Sequence, residues 1–405
     1  MTGREAVSRI GVLMGALFVD MVGFAMVLPL LPFYATDMGA SPFLVGLLVA
    51  AHPFAQVAVA PLWGRLSDRW GRRPVILLGM TMGAVAYLLF GLAHALWVLL
   101  LSRLVQGAGG GIIGVIQAYV SDSVSPRDRA KALGWLSAAT SAGVMVGPVV
   151  GSLATRIAQE APGLIAAALA FVNVAFAWKL LKEPEVERHT GPRRPLGRAL
   201  GEVFLHPLAP AHRMIWIYAA GMMAFMAMNS MLALYLGDRF GVTEATIGYF
   251  YLYVGAISVL MRGGVLGPLI TRFGEIRVLQ LGALALALGQ ALLPLATHLL
   301  VLAAVIALMP IGTSLLFPAT SSQVSHHAPV GHVGQALGVQ QAIGGVARML
   351  GPIWAGAAFQ HLGLAWPFWL AAILMLAALG MALGASDGGN VEPAEAVVPG
   401  GRPSG

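Results

Sequence analysis

The sequence predicts an all-α, polytopic membrane protein arranged as two pseudo-symmetric six-helix bundles. Three observations carry that expectation. Of 405 residues, 58% are hydrophobic and only 10% charged, whereas soluble domains are near 25% charged. The apolar runs divide into about twelve segments long enough to cross a bilayer, at ~20 residues each. Two short motifs also recur at an offset of half the chain.

The runs break at Gly, Pro, His and polar punctuation. They give helices at about 10–35, 43–66, 74–93, 96–119, 131–154, 163–181, 214–236, 245–270, 278–297, 299–318, 336–359 and 364–384, numbered 1 to 12 in order. Arg4 and Arg9 before an apolar stretch resemble a secretory leader. Asp20 interrupts that stretch and no small-residue cleavage site ends it, so it reads as a retained first helix.

Lys and Arg test the topology, because short cytoplasmic loops are enriched in them. With the N-terminus inside, Arg65, Arg69, Arg72, Arg73, Arg127, Arg129, Lys131, Arg272 and Arg277 fall at inner turns. Lys179, Lys182, Arg188, Arg193, Arg194, Arg198 and Arg213 fall in or beside the central connector, also inside, and only Arg156 and Arg239 fall outside. Both termini are therefore expected in the cytoplasm, with the chain in the inner (plasma) membrane.

The duplication is read from two matches. Gly64-Arg65-Leu66-Ser67-Asp68-Arg69-Trp70-Gly71 parallels Gly267-Pro268-Leu269-Ile270-Thr271-Arg272-Phe273-Gly274, and Gly147-Pro148 parallels Gly351-Pro352. The expected organisation is a first bundle over 1–182, a cytoplasmic linker over 183–213 with a short surface helix at 196–205, a second bundle over 214–384, and a disordered Gly/Pro-rich tail over 385–405. Twin bundles around a midplane site are a known transporter design.

Composition also excludes classes. The chain has no cysteine, so a thiolate metal site, a disulfide framework and a Cys nucleophile are ruled out. The net charge of +7 is spread over turns and forms no basic face interleaved with aromatics, so nucleic acid is not an expected partner. Gly109-Gly110-Gly111-Ile112-Ile113-Gly114 fits a dinucleotide pattern but lies inside a predicted membrane helix with no preceding strand, and is rejected. No phosphate-binding loop with its Lys is present, and no cofactor or enzyme activity is expected. His326, His327 and His332 are placed in a polar loop without further ligands, so no metal is assigned.

The motifs themselves are recognisable. Gly64 to Arg73 resembles the loop 2–3 signature of the major facilitator superfamily. Arg103-Leu104-Val105-Gln106-Gly107 resembles its helix 4 motif. Gly143-Val144-Met145-Val146-Gly147-Pro148-Val149-Val150-Gly151 resembles the helix 5 antiporter motif of drug exporters. Asp20-Met21-Val22-Gly23-Phe24 with Pro29 and Pro32 resembles helix 1 of tetracycline-type efflux pumps. The resemblance implies the major facilitator fold and proton-coupled drug efflux. The second copy of the loop signature departs from it, with Thr271 at the position of Asp68 and Glu275 at that of Arg72.

Residue chemistry supports a division of roles. Asp20 alone among 17 acidic residues lies deep in a predicted helix, roughly 15 Å in at 1.5 Å per residue. Hydrocarbon burial and an adjacent guanidinium pull its protonation in opposite directions, which suits proton exchange; a permanent ion pair that only fixes packing is the alternative. Arg103 is the expected partner. Asp68, Arg69, Arg72 and Arg73, with Gly64 and Gly71, are read as an inner gate that latches one state, or as a basic turn that only sets topology. Gly143, Gly147 and Gly151 recur every four residues beside Pro148, giving a close, bent helix seam or plain packing. His52, Gln117, Asn173, Asn229, Arg262, Gln340, Gln341 and Arg348 are polar groups available to a substrate cavity. Arg262 or Arg348 could hold an anionic substrate, or be structural. Met222, Met223, Met226, Phe225 and Tyr235 offer an adaptable apolar wall.

The expected partners are a small-molecule substrate, protons and the bilayer, with a monomeric chain. The leading reading is export of a small hydrophobic compound by alternating access. Transport of a sugar or metabolite on the same fold, and a non-transporting receptor or scaffold, are the competing readings.

Overall fold

The computed structural model describes residues 3–123, 129–183, 196–328 and 332–384. Among them twelve helices are long and apolar enough to span a membrane. They are span 1 (Gly11–Asp37), span 2 (Pro42–Trp70), span 3 (Arg72–Gly91), span 4 (Leu96–Val120), span 5 (Gly134–Ala154), span 6 (Ala161–Leu180), span 7 (Pro210–Phe240), span 8 (Glu244–Phe273), span 9 (Glu275–Leu295), span 10 (Leu299–His327), span 11 (Val333–Leu362) and span 12 (Trp366–Leu383). Each matches one predicted helix. Twelve crossings put the start of span 1 and the end of span 12 on one face, here the terminal face; the other is the far face.

The largest boundary difference is span 10. The sequence reading stops it at Pro318, yet the helix continues through Pro310 and Pro318 to His327. Its last turns are held by Glu275, which accepts hydrogen bonds from Ser322 Oγ and Gln323 Nε2, both at 2.7 Å. His326 and His327 therefore belong to a helix rather than to the expected loop, and His332 is the residue before Val333–Leu362. The predicted surface helix is present as Leu196–Leu205. Residues 184–195 of the connector and the tail 385–405 lie outside the described residues.

Both copies of the repeated turn break the chain in the same way. Gly71 and Gly274 have φ of 98° and 81°, a region open to glycine at little cost. Each ends one span and starts the next. The Gly-Pro pairs are matched too. A Cβ on Gly147 would lie 2.6 Å from the Val22 carbonyl of span 1, and one on Gly351 2.6 Å from the Met223 carbonyl of span 7. Missing side chains let backbones approach closely in both halves.

The core divides into three clusters. One, at the far face, joins both halves: Met26, Leu30, Tyr34, Val45 and Leu48 pack with Met228, Met231, Tyr235 and Ile247. Towards the terminal face the halves keep separate cores, with Leu13, Trp63, Ile76 and Tyr119 in the first and Ile217, Leu279, Leu286 and Leu316 in the second. The halves are closed together at the far face and parted at the terminal face.

Candidate functional site

The seam that closes the far face is built from glycine and proline. A Cβ on Gly46 of span 2 would collide with the Pro352 carbonyl of span 11, and one on Gly248 of span 8 would lie 2.5 Å from the Pro148 carbonyl of span 5. The Gly248 N–H also donates to Ser152 Oγ at 2.8 Å, and the Phe43 N–H donates to Gln360 Oε1 at 3.2 Å. Gly147-Pro148 and Gly351-Pro352 thus each face two ways, the glycine into its own half and the proline carbonyl towards the other. The seam reaches mid-membrane, where a Cβ on Gly345 would lie 2.7 Å from Val57 and one on Gly255 would lie 3.0 Å from Met145.

Beside that seam, spans 1 to 4 enclose a polar layer. Gly107 makes it possible, since a Cβ there would collide with the His52 carbonyl, so span 4 lies directly on span 2. Arg103 is 1% exposed. Its Nη1 donates to Gln106 Oε1, and its guanidinium carbon stands 5.9 Å from the centre of the Phe24 ring, a cation–π distance. Phe24 in turn packs on His52, ring centres 5.1 Å apart. His52 is within electrostatic reach of Arg103 and of Arg348 from span 11. Gln56 Nε2 donates to the Gly110 carbonyl at 3.3 Å.

Asp20 enters the layer from span 1. Gly83 of span 3 leaves it room, since a Cβ there would sit 3.6 Å from Asp20 Oδ1. The expected ion pair with Arg103 is not formed: among the described residues neither joins a salt bridge, and the guanidinium is spent on Gln106. Tyr87 stands between them. Its hydroxyl donates to the Asp20 main-chain carbonyl at 3.0 Å and faces Gln106 and Arg103 on its other side. The sequence reading passed over Tyr87 because an aromatic on an apolar helix carries no periodic or charge signal.

The other singled-out polar residues separate into two groups. Asn173 Nδ2 donates to the Ala16 carbonyl at 2.9 Å, Asn229 Oδ1 accepts from Tyr251 at 2.9 Å, and buried Gln340 accepts from Ser321 Oγ at 3.2 Å. These side chains link neighbouring helices. Gln117, Gln341 and Arg262 are exposed. Arg262 lies in a widened, π-helical turn, Met261–Val265, that interrupts span 8, and such insertions re-aim side chains. An exposed Arg halfway along a span is tolerable where it meets water.

At the terminal face, Asp68 at the end of span 2 accepts from Arg72 Nη1 at the start of span 3 at 3.3 Å, across the Gly71 turn, and its side chain is 61% exposed. Arg72 Nη1 also donates to Ser67 Oγ at 2.8 Å, and Arg73 Nη2 to the Trp178 carbonyl at 2.6 Å. Glu183, which the sequence reading missed, accepts the Arg72 and Arg73 N–H groups at 2.5 and 2.8 Å. It neutralises the positive start of span 3. These contacts stay within the first half. Beside them, Val59, Leu62, Trp63, Arg65, Leu66 and Arg69 line a recess of about 370 Å³.

Two six-helix halves, a small-residue seam closing one face, and a half-buried acid beside a buried cation at mid-membrane define a secondary transporter rather than an enzyme. The chain matches the profile described as Major Facilitator Superfamily over residues 13–266 and 263–401, and it belongs to that family. It is 32% identical over 371 residues to the class C tetracycline resistance protein of Escherichia coli, covering 88% of this chain and 92% of that one. It is 26% identical over 383 residues to multidrug resistance protein 2 of Bacillus subtilis strain 168, covering 92% and 94%. Among solved structures, a mutant of the nucleoside transporter NupG superposes with a TM-score of 0.78 at 16% identity, over 92% of this chain and 99% of that one. The human organic anion transporter MFSD10 (TETRAN) superposes with a TM-score of 0.68 at 22% identity, over 93% and 99%.

Proposed function

We propose that this transporter exports small, largely hydrophobic compounds in exchange for protons, from a cytoplasmic face that carries both termini in the inner membrane. The halves divide at the connector 183–213 and act as a monomer. The observation that carries the reading is Asp20: an acid in the middle of a span, next to a buried guanidinium with which it makes no ion pair. Such a group can gain and lose a proton as its surroundings change.

In this scheme the structure is the inward-open state. Its gate residues Asp68 and Arg72 are paired with each other. Substrate enters through the parted cytoplasmic side and displaces the proton from Asp20. Closure engages the gate and opens the Gly-Pro seam, and a new proton from outside resets Asp20. One charge moved across the membrane is worth ~2.3 kcal/mol per 100 mV, enough to drive a substantial gradient. Relatives that carry tetracycline and multidrug resistance names support the substrate class. The excess of Arg over Asp in the described spans favours neutral or anionic compounds over cations.

The test is Asp20→Asn in inverted membrane vesicles, with tetracycline uptake followed before and after an uncoupler. Loss of gradient-driven uptake is expected; undiminished uncoupler-sensitive uptake would refute the role. Retention of solute counterflow by Asp20→Asn would separate lost coupling from lost binding, and absence of counterflow in the unaltered protein for every compound tried would favour the receptor or scaffold reading.

A further inference from the structure

The exchange scheme assigns no role to Tyr87, although its hydroxyl stands between the acid and the cation. Tyr87 is almost fully buried. Its ring lies flat on Gly23, where a Cβ would come within 2.9 Å of Cε2 and Cζ. Asp20 and Gly23 are three residues apart, on one helix face, so the acid and the socket for the ring come from the same turn. Beyond the hydroxyl, Gln106 accepts from Arg103 through Oε1 and is left with Nε2 unpartnered, as is Arg103 Nε. The tyrosine oxygen is the acceptor that Gln106 faces.

The other elements around Asp20 bring few charges. Span 2 offers His52 behind Phe24, span 4 offers Arg103, and span 11 offers Arg348 beyond His52. Span 5 presents Gly143, Gly147 and Gly151 to span 1, and span 6 presents Asn173.

A hydroxyl has one proton to give. Here it lies between two acceptors of one residue, the Asp20 main-chain carbonyl at 3.0 Å and the Asp20 carboxyl, which the hydroxyl also reaches. An ionised carboxylate is a stronger acceptor than a carbonyl. We propose that Tyr87 is a positioning residue for proton exchange: its O–H, within reach of both Asp20 acceptors, settles on the carboxylate when that ionises and on the main-chain carbonyl when the acid is protonated, and Gln106 passes the change to Arg103. Tyr87 keeps its own proton throughout; the proton that leaves Asp20 goes to water. This rests on Asp20 being the proton site.

A purely structural role must be told apart, because the second half has a matching link. Gln290, 203 residues after Tyr87, donates from Nε2 to the Ala224 carbonyl at 3.2 Å, 204 residues after Asp20. A structural link would not set the proton affinity of Asp20. The measurement is therefore an infrared pH titration of the full chain in lipid nanodiscs, with the Asp20 carboxyl band defined as the one that Asp20→Asn removes. Tyr87→Phe, which takes away a donor to the ionised form, is expected to move that band's midpoint up by about one pH unit, tenfold in proton affinity. An unchanged midpoint overturns the role of Tyr87 and leaves the proton site standing. Absence of any titrating band that depends on Asp20 overturns the exchange reading instead. If Tyr87→Phe does not fold, Gly23→Ala displaces the ring while keeping the hydroxyl, and the same midpoint decides.

Discussion

Gly248→Ala tests whether the glycine seam sets the balance between the two openings. The added methyl would lie 2.5 Å from the Pro148 carbonyl, 2.6 Å from Ser152 Oγ and 2.8 Å from Ser152 Cβ. Two of these atoms belong to a helix backbone or its first side-chain carbon, so they cannot swing aside. The far face must part by several tenths of an ångström, and the 2.8 Å bond from the Gly248 N–H to Ser152 Oγ is stretched with it. Overpacking of this kind costs about 1–3 kcal/mol. The cost falls only on the state in which the far face is closed, so it shifts the ratio of states about 5- to 150-fold towards opening there.

The chain has no cysteine, so two introduced thiols are the sole spin-labelling sites. Trp70→Cys and Phe273→Cys occupy matching positions of the repeated turn on the terminal face, both exposed. Pulsed electron resonance is expected to show the short-distance population growing when Gly248→Ala is added. Gly338→Ala, whose methyl meets open space, should leave the distribution alone. Equal distributions in all three backgrounds would refute the argument that close packing at this seam selects the state.

Gly147→Ala puts a methyl 2.6 Å from the Val22 carbonyl and 2.7 Å from Ala25 Cβ. It should lower thermal stability in detergent by about 1–3 kcal/mol, whereas Gly11→Ala, with nothing near it, should not. Glu183→Ala removes the acceptor for two N–H groups at the start of span 3 and should cost about 1 kcal/mol, read as a lower melting temperature that Glu183→Gln partly restores. On the proposed scheme, Asp68→Asn should leave ligand binding to the form parted at the terminal face intact while slowing the return step, seen as exchange that outpaces net efflux.

The span count was legible because hydrocarbon thickness imposes one length on every crossing, and the repeat was legible because the turn needs glycine at Gly71 and Gly274. The end of span 10 was not. Pro318 and the polar run after it resemble a stop, but the stop is overridden by Glu275 of another helix, a contact no local pattern contains. The polar layer was half legible. Asp20 and Arg103 stand out because charge is rare in oil. Their separation by Tyr87 depends on Gly23 and on helix packing, so the simple expectation of a salt bridge between the rare opposite charges failed. Asn173 and Gln340 resembled cavity residues for a related reason: a lone polar side chain reads the same whether it faces a substrate or a neighbouring carbonyl.

The duplication shows how a symmetric scaffold acquires a one-sided mechanism. The two motif matches give offsets of 203 and 204: Asp20 then falls at Met223 or Ala224, and at 203 His52 falls at Gly255, Arg103 at Ile306 and Gln106 at Met309. The second half is apolar at these four positions, its span cations Arg262 and Arg348 standing elsewhere, so the proposed proton site has no counterpart there. The link from span 3 to span 1 has survived in both halves, as Tyr87 to Asp20 and Gln290 to Ala224, but only the first has an acid to serve. Gln290→Leu separates the two roles. It removes the second hydrogen bond to the Ala224 carbonyl, which keeps its bond within the helix, at a cost of about 0.5–1.5 kcal/mol, and also removes the unpartnered Gln290 Oε1, which offsets part of that loss. Melting temperature should fall slightly while the pH dependence of transport stays where it was. A shift of the pH profile on Gln290→Leu as large as that on Tyr87→Phe would mean that both links act only through helix packing, and that the first half holds no special path between its acid and its cation.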